Sequence, residues 1–172
     1  MKKHLAAILA FCVLSASGFA GSTNITDQLL DHLVGRWTLT GTIANKKNTH
    51  DVTAEWILNH GYVRLHEASR EKDSSGAPAY EAIIFVCAEP NGGDYTCLWL
   101  DSTGSWGLSP QAMGRAKRQT NSIPFVFKDP DGAVSFENTF VYDPAADSWS
   151  WVMDNVHDGK RKPFGRVTLA KP

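Results

Sequence analysis

The chain has 172 residues, of which 42% are hydrophobic and 20% charged, with a formal net charge of −1. That length allows one ordinary domain, large enough to bury about 68–70% of the surface its unfolded chain exposes. The balanced charge leaves no nucleic-acid footprint: the one basic cluster, Lys160-Arg161-Lys162, reads as a solvated turn.

Residues 1–20 have the layout of a secretory signal peptide. Lys2 and Lys3 are followed by an uncharged apolar run, Leu5 to Leu14, and by the small residues Gly18 and Ala20 before Gly21. The run is too short to span a bilayer, which takes about 20 apolar residues, so no stable membrane anchor is expected. Phe11 before Cys12 does not suit a lipoprotein cleavage site. The expectation is an exported protein, periplasmic or extracellular, whose mature domain is 21–172.

One helical signal opens that domain. Ile25, Leu29, Leu30, Leu33 and Val34 share a face at helical spacing, with Thr26 as N-cap and Gly35 as the end. From there the period becomes two. Trp37 to Ile43 alternates apolar and hydroxyl residues, and Val52 to Leu58 places Val52, Ala54, Trp56 and Leu58 on one face. An Asn59-His60-Gly61 turn leads to a strand from Tyr62 to Ser69, and a polar loop from Glu71 to Ala79 follows. Tyr80 to Cys87 and Tyr95 to Leu100 form a hairpin around Glu89-Pro90-Asn91-Gly92-Gly93-Asp94. Cys87 and Cys97 flank Gly92 symmetrically, so the most symmetric register sets them face to face. An even thiol count in an oxidising compartment then points to a disulfide, with two unpaired thiols as the alternative.

Residues 104–121 are the least legible, with one irregular strand around Ala112 to Arg118. Strands at Ile123 to Lys128, Val134 to Tyr142, Trp149 to Met153 and Pro163 to Leu169 complete the chain, separated by Asp-Pro-type turns. Pro124 cannot donate to a ladder, so an edge or bulge is expected there. The predicted fold class is all-β: an antiparallel up-and-down β-barrel of about 8–10 strands with a short N-terminal helix.

The segment Leu29 to Gly41, with Gly35-Arg36-Trp37 at its centre, resembles the opening of the calycin superfamily, the lipocalins and fatty-acid-binding proteins. Glu55-Trp56-Ile57-Leu58, Tyr80-Glu81-Ala82 and Trp99-Leu100-Asp101-Ser102 look like a family of secreted bacterial lipocalin-like domains of unassigned function. The resemblance implies a barrel whose closed end holds Trp37 beneath a basic residue near the end of the last strand. Arg166 is the match it suggests. The further loop motifs of lipocalins proper are missing, so the resemblance speaks to architecture more than to a ligand.

All six Trp and all four Tyr lie beyond residue 20. Small-molecule pockets are mostly apolar and aromatic with a few orienting polar groups, so this supply suits an exported barrel that binds a small apolar or amphipathic molecule without catalysis. Trp37, Leu39, Gly41 and Ile43 share one parity, and Trp149, Trp151 and Met153 another, as candidates for the inner wall; Gly41 would leave room for a guest. Candidate ligand contacts are Tyr62, Arg64 and His66 on one strand face, together with Glu81, Trp99, Trp149, Trp151 and Met153. If Val63 and Leu65 point inward instead, the first three are surface residues. Glu81, Asp101 or His66 would serve an enzymatic alternative (isomerase, cyclase or hydrolase), and a filled barrel would suit an envelope or interaction protein. Asp101 before Ser102-Thr103-Gly104 equally suits an Asx-turn. No His pair or Cys/His cluster suggests a metal, and no cofactor is expected; His66 or His157 would be the candidates for single-His haem ligation. No nucleophile elbow or phosphate loop is present.

Overall fold

The computed structural model describes residues 26–89, 93–104 and 107–172. The signal expected at 1–20, Ile25 of the helix face, and Pro90-Asn91-Gly92 of the hairpin turn lie outside them. Ten antiparallel strands form a closed barrel: β1 (Gly35–Ile43), β2 (Lys46–Ile57), β3 (Tyr62–Ser69), β4 (Glu81–Ala88), β5 (Asp94–Asp101), β6 (Met113–Lys117), β7 (Ser122–Lys128), β8 (Val134–Asp143), β9 (Ser148–His157) and β10 (Lys160–Ala170). Each strand pairs with its neighbours in sequence, and β10 closes onto β1 through Thr38↔Ala170 to Ile43↔Gly165. This is the up-and-down barrel that the period-two pattern predicts. The seam is thinnest between β6 and β7, where the register carries Arg115↔Val126. Pro124, which has no N–H to donate, sits beside that seam.

Parity sorts the side chains. Trp37 and Leu39, Val52 and Ala54, Val63 and Leu65, Ile84 and Val86, Phe125 and Phe127, and Val167 and Leu169 face the core, while the residues between them face out.

One end of the barrel is closed by α1 (Gln28–Leu33), whose Leu29, Leu30 and Leu33 are buried. Each Leu contributes about 1.5–3 kcal/mol of apolar burial. The N-cap is Asp27, one residue later than expected: its carboxylate accepts from Leu30 N at 3.0 Å. The carbonyls at the other end of so short a helix have few partners within it, and tryptophans supply them. Trp37 Nε1 donates to Leu33 O at 2.8 Å and Trp149 Nε1 to His32 O at 3.2 Å, while Trp56 Nε1 reaches the Asp31 carboxylate at 2.8 Å. The Asp27 carboxylate also accepts from Tyr95 Oη at 3.0 Å and from Arg118, whose guanidinium lies 5.1 Å from the Tyr95 ring centre.

Four expectations are corrected. Cys87 and Cys97 are free thiols on opposite faces of the sheet, because the hairpin pairs Cys87 with Thr96 and Val86 with Cys97. A register one residue from the symmetric one exchanges the faces, which removes the predicted disulfide. Trp37 is buried as expected, but the cation over its ring is Lys171 Nζ, 3.6 Å from the centroid. Lys171 continues the inward parity of Val167 and Leu169. Arg166 has the outward parity; it pairs with Thr42 at the other end of β1, donates to Met153 O and Gly165 O, and meets Asp154 at 2.5 Å. Leu58, grouped by parity with Val52, Ala54 and Trp56 at the end of a strand, instead lies in the β2–β3 turn with φ 48° and is 73% exposed. Gly41 leaves no room for a guest: a Cβ there would lie 2.3 Å from Arg166 O, so the glycine admits the β10 backbone instead.

Candidate functional site

The barrel interior has two halves. Below, toward α1, it is solid with aromatic rings: Phe140 stacks on Trp151 at 4.5 Å, Phe125 meets Phe140 edge-on at 5.5 Å, and Tyr142 packs on Trp149 at 5.1 Å. Above, a cavity of about 610 Å³ opens toward the loops opposite the helix. Trp151 and Trp99, in edge contact at 6.1 Å, are part of its wall. Ile43, Phe127, Phe136, Met153 and Phe164 supply further apolar wall, contributed by β1, β7, β8, β9 and β10. A ten-stranded barrel is wider than an eight-stranded one, which fits only side chains or one small ligand, so its upper half stays open.

The β2–β5 side of the wall is polar. His50 and Glu67 are 3% and 2% exposed, and Nδ1 of the imidazole lies 2.5 Å from Oε1 of the carboxylate. They are neighbours because β2 and β3 pair His50 with Ser69 and Val52 with Glu67, which sets the two inward side chains diagonally. The other imidazole nitrogen, Nε2, is buried without a hydrogen-bond partner. Tyr80, just before β4, stacks on the His50 ring with centroids 5.7 Å apart and accepts from Trp99 Nε1 at 3.2 Å. Burial, followed by the charge on Glu67, pushes the Tyr80 phenol far above its usual range, against the opposing indole bond. Asp101 stands in the same wall, its carboxylate occupied by Thr103 N at 2.9 Å and by the Thr103 hydroxyl: the Asx-turn its sequence context suits.

Two more buried polar groups lie in the interior unpartnered. Trp151 Nε1 has no acceptor, and Asn138, wholly buried opposite Phe125 and Met153, has neither donor nor acceptor. A buried group left unsatisfied costs about 1–3 kcal/mol, and native proteins carry few.

The sequence-predicted contacts divide accordingly. Trp99, Trp151 and Met153 line the cavity. Trp149 is buried but belongs to the helix-capping end. Tyr62, Arg64 and His66 lie on the outer face of β3, since Val63 and Leu65 point inward. Arg64 pairs there with Glu55, and His66 Nε2 with Glu81 at 2.6 Å. Glu81 is therefore also outside the cavity that Asp101 helps to wall: it meets His66 on the outer face and shares a shallow outer hollow with Asp101, so the three do not gather in the cavity. His157, at the end of β9, has a side chain 93% exposed beside Asp158. Among the described residues no group of three His, Cys, Asp or Glu is placed to hold a metal ion.

Sequence reasoning missed His50 and Glu67. The signal was present: Glu67 shares parity with Val63 and Leu65, and His50 with Val52 and Ala54 once β2 is begun at Lys46 rather than Val52. The closed antiparallel barrel, with its short helix beneath Trp37 and a basic residue over that ring, is compatible with a calycin-like fold. No protein-family model and no curated protein matches the chain.

Proposed function

We propose that this is an exported, lipocalin-like barrel that binds one small apolar or amphipathic molecule in its upper half and does no chemistry on it. The observation that carries the reading is the cavity of about 610 Å³, walled by Trp99, Trp151, Phe127, Phe136 and Phe164 and abutted by the unpartnered Nε2 of His50. That volume lies in the range of ligand sites, roughly 300–1,000 Å³, and the mix of apolar wall and few polar groups is theirs too. Apolar burial supplies the affinity at about 25 cal/mol per Å², less the cost of ordering the guest. The polar groups orient it.

Trp99 and Trp151 report on the cavity directly. Titration with fatty acids and small aromatics is expected to quench or shift tryptophan fluorescence and to saturate at one molecule per chain. Mass analysis of what native protein carries from its source should recover an apolar guest. No response across the panel, with nothing co-purifying, would return the filled-barrel alternative. Export is tested separately: the protein recovered outside the cytoplasm should begin at Gly21.

A further inference from the structure

Building on the ligand-binding reading above, we infer that the cavity selects a cationic guest, an apolar body ending in a protonated amine, through the inner carboxylates of Glu67 and Asp101 and the aromatic rings beside them.

Strand register sets both carboxylates on one stretch of wall. Glu67 pairs with Ala82 across β3 and β4, and Ala82 pairs with Asp101 across β4 and β5, so the three form one row. Neighbouring strands lie about 4.8 Å apart, which puts the two acidic residues roughly 10 Å from each other along the backbone. The alanine between them brings no polar group. Tyr80, two residues before Ala82, and Trp99, two before Asp101, keep the same parity and supply rings to the same wall.

This wall has more acceptors than donors. Glu67 is 2% exposed, and its Oε1 meets His50 Nδ1. Its Oε2 has no hydrogen bond among the described residues, yet it is not one of the sealed unpartnered atoms, which belong to His50, Asn138 and Trp151. A buried carboxylate thus keeps one oxygen open to the cavity. Asp101 takes the Thr103 N–H and hydroxyl on Oδ1, which leaves Oδ2. Asn48 gives its amide nitrogen to Ile43 O at 3.3 Å and Lys46 O at 2.7 Å, which leaves its carbonyl oxygen. Against these acceptors stands the Tyr80 O–H. Trp99 Nε1 is already given to the Tyr80 oxygen, and Ser135 Oγ to Phe127 O. A guest that fits this wall brings its own protons.

Charge points the same way however the buried pair is protonated. A neutral imidazole beside the carboxylate gives His50 and Glu67 one negative charge together, and an imidazolium gives them none. With Asp101 the inner wall therefore holds one or two negative charges and no surplus cation. The other ionisable groups of the lining are Tyr80, whose phenol burial keeps neutral, and Lys46, exposed at the rim, where its long stem leaves the ammonium in water. An ammonium group answers the carboxylates and donates to their open oxygens, and the faces of aromatic rings attract it as well. An anionic head group meets repulsion at the same place.

The test uses four naphthalenes of one shape, substituted at the same carbon by aminomethyl, hydroxymethyl, ethyl or carboxylate. By calorimetry at neutral pH on the mature protein, the amine should bind about tenfold more tightly than the alcohol, the factor by which a charge-assisted hydrogen bond exceeds a neutral one. The carboxylate should bind weakest. Asp101→Asn keeps the Asx-turn and removes the charge, and it should cut the amine-over-alcohol ratio about threefold; Glu67→Gln should cut it by a similar factor. Where Glu67→Gln fails to fold, the ligand series and Asp101→Asn still decide. An alcohol or ethyl compound that binds as tightly as the amine, or a ratio that neither folded variant lowers, overturns the cation assignment and leaves the ligand-binding reading intact. A preference for the carboxylate overturns it too, and loss of that preference in Lys46→Ala would place the head group at the rim. Failure of all four to bind overturns the ligand-binding reading and this inference with it.

Discussion

The two ends of the barrel each bury a carboxylate, and they treat it differently. At the closed end Asp27, 2% exposed, takes hydrogen bonds from Leu30 N, Tyr95 Oη and Arg118, so its charge is answered and its acceptors are used. At the open end Glu67, equally buried, has His50, whose far nitrogen has nothing. A satisfied buried network rigidifies a fold; an unsatisfied one is a cost that a fold carries for another purpose. The contrast separates the part of this molecule that holds it together from the part that the proposed function assigns to a guest.

Substitutions at the two carboxylates sharpen this contrast most. Asp27→Ala removes the helix cap and strands Tyr95 Oη and Arg118, so it is expected to cost about 3–5 kcal/mol in chemical denaturation. His50→Leu/Glu67→Leu, which replaces a buried pair by apolar groups, is expected to change stability by no more than about 1 kcal/mol. Equal losses at the two ends would break the comparison. Between these lies Gly114→Ala, on the cavity side of the solid half. Its Cβ would meet Phe127 Cζ at 2.7 Å and Cys97 Sγ at 2.8 Å, and the overpacking should cost about 1–3 kcal/mol. Lys171→Ala should cost about 0.5–1 kcal/mol, as a half-exposed cation over Trp37 is worth little more, and Arg166→Lys should leave the Trp37 fluorescence environment unchanged.

A further set of expectations concerns the thiols. Unfolded, unreduced protein beginning at Gly21 should titrate two free thiols, Cys87 and Cys97. Burial pushes the Cys97 thiol from its ordinary 9.0 up to about 12 in the folded state. The unfolded chain therefore loses this proton first, and stability should fall as pH rises from about 9 to 12. Cys97→Ala should remove that portion of the alkaline loss, leaving the part due to Tyr95 and Tyr80, whose phenols are also raised by burial.

Three residues of the wall were legible in the sequence. Trp99, Trp151 and Met153 declare themselves as inward aromatic or flexible apolar residues. His50 did not, because the strand expected there began at Val52, and Glu67 did not, because the inward face of its strand was left open. Arg166 was chosen by a motif, whereas the parity of Val167 and Leu169 already pointed past it to Lys171.

The sequence by itself determined the element order, the antiparallel meander, the short helix and the inward faces of β1 and β9. All of these rest on local patterns: hydrophobic period, turn residues and capping side chains, which act within a few residues. Register, pairing across strands and vacancy were decided only by the tertiary structure. One residue of slip in the β4–β5 hairpin separated Cys87 from Cys97, and the β2–β3 register brought His50 to Glu67, 17 residues away. Whether the barrel is hollow is not written in any strand, since it depends on the summed volume of inward side chains from all ten against the width the closed sheet imposes.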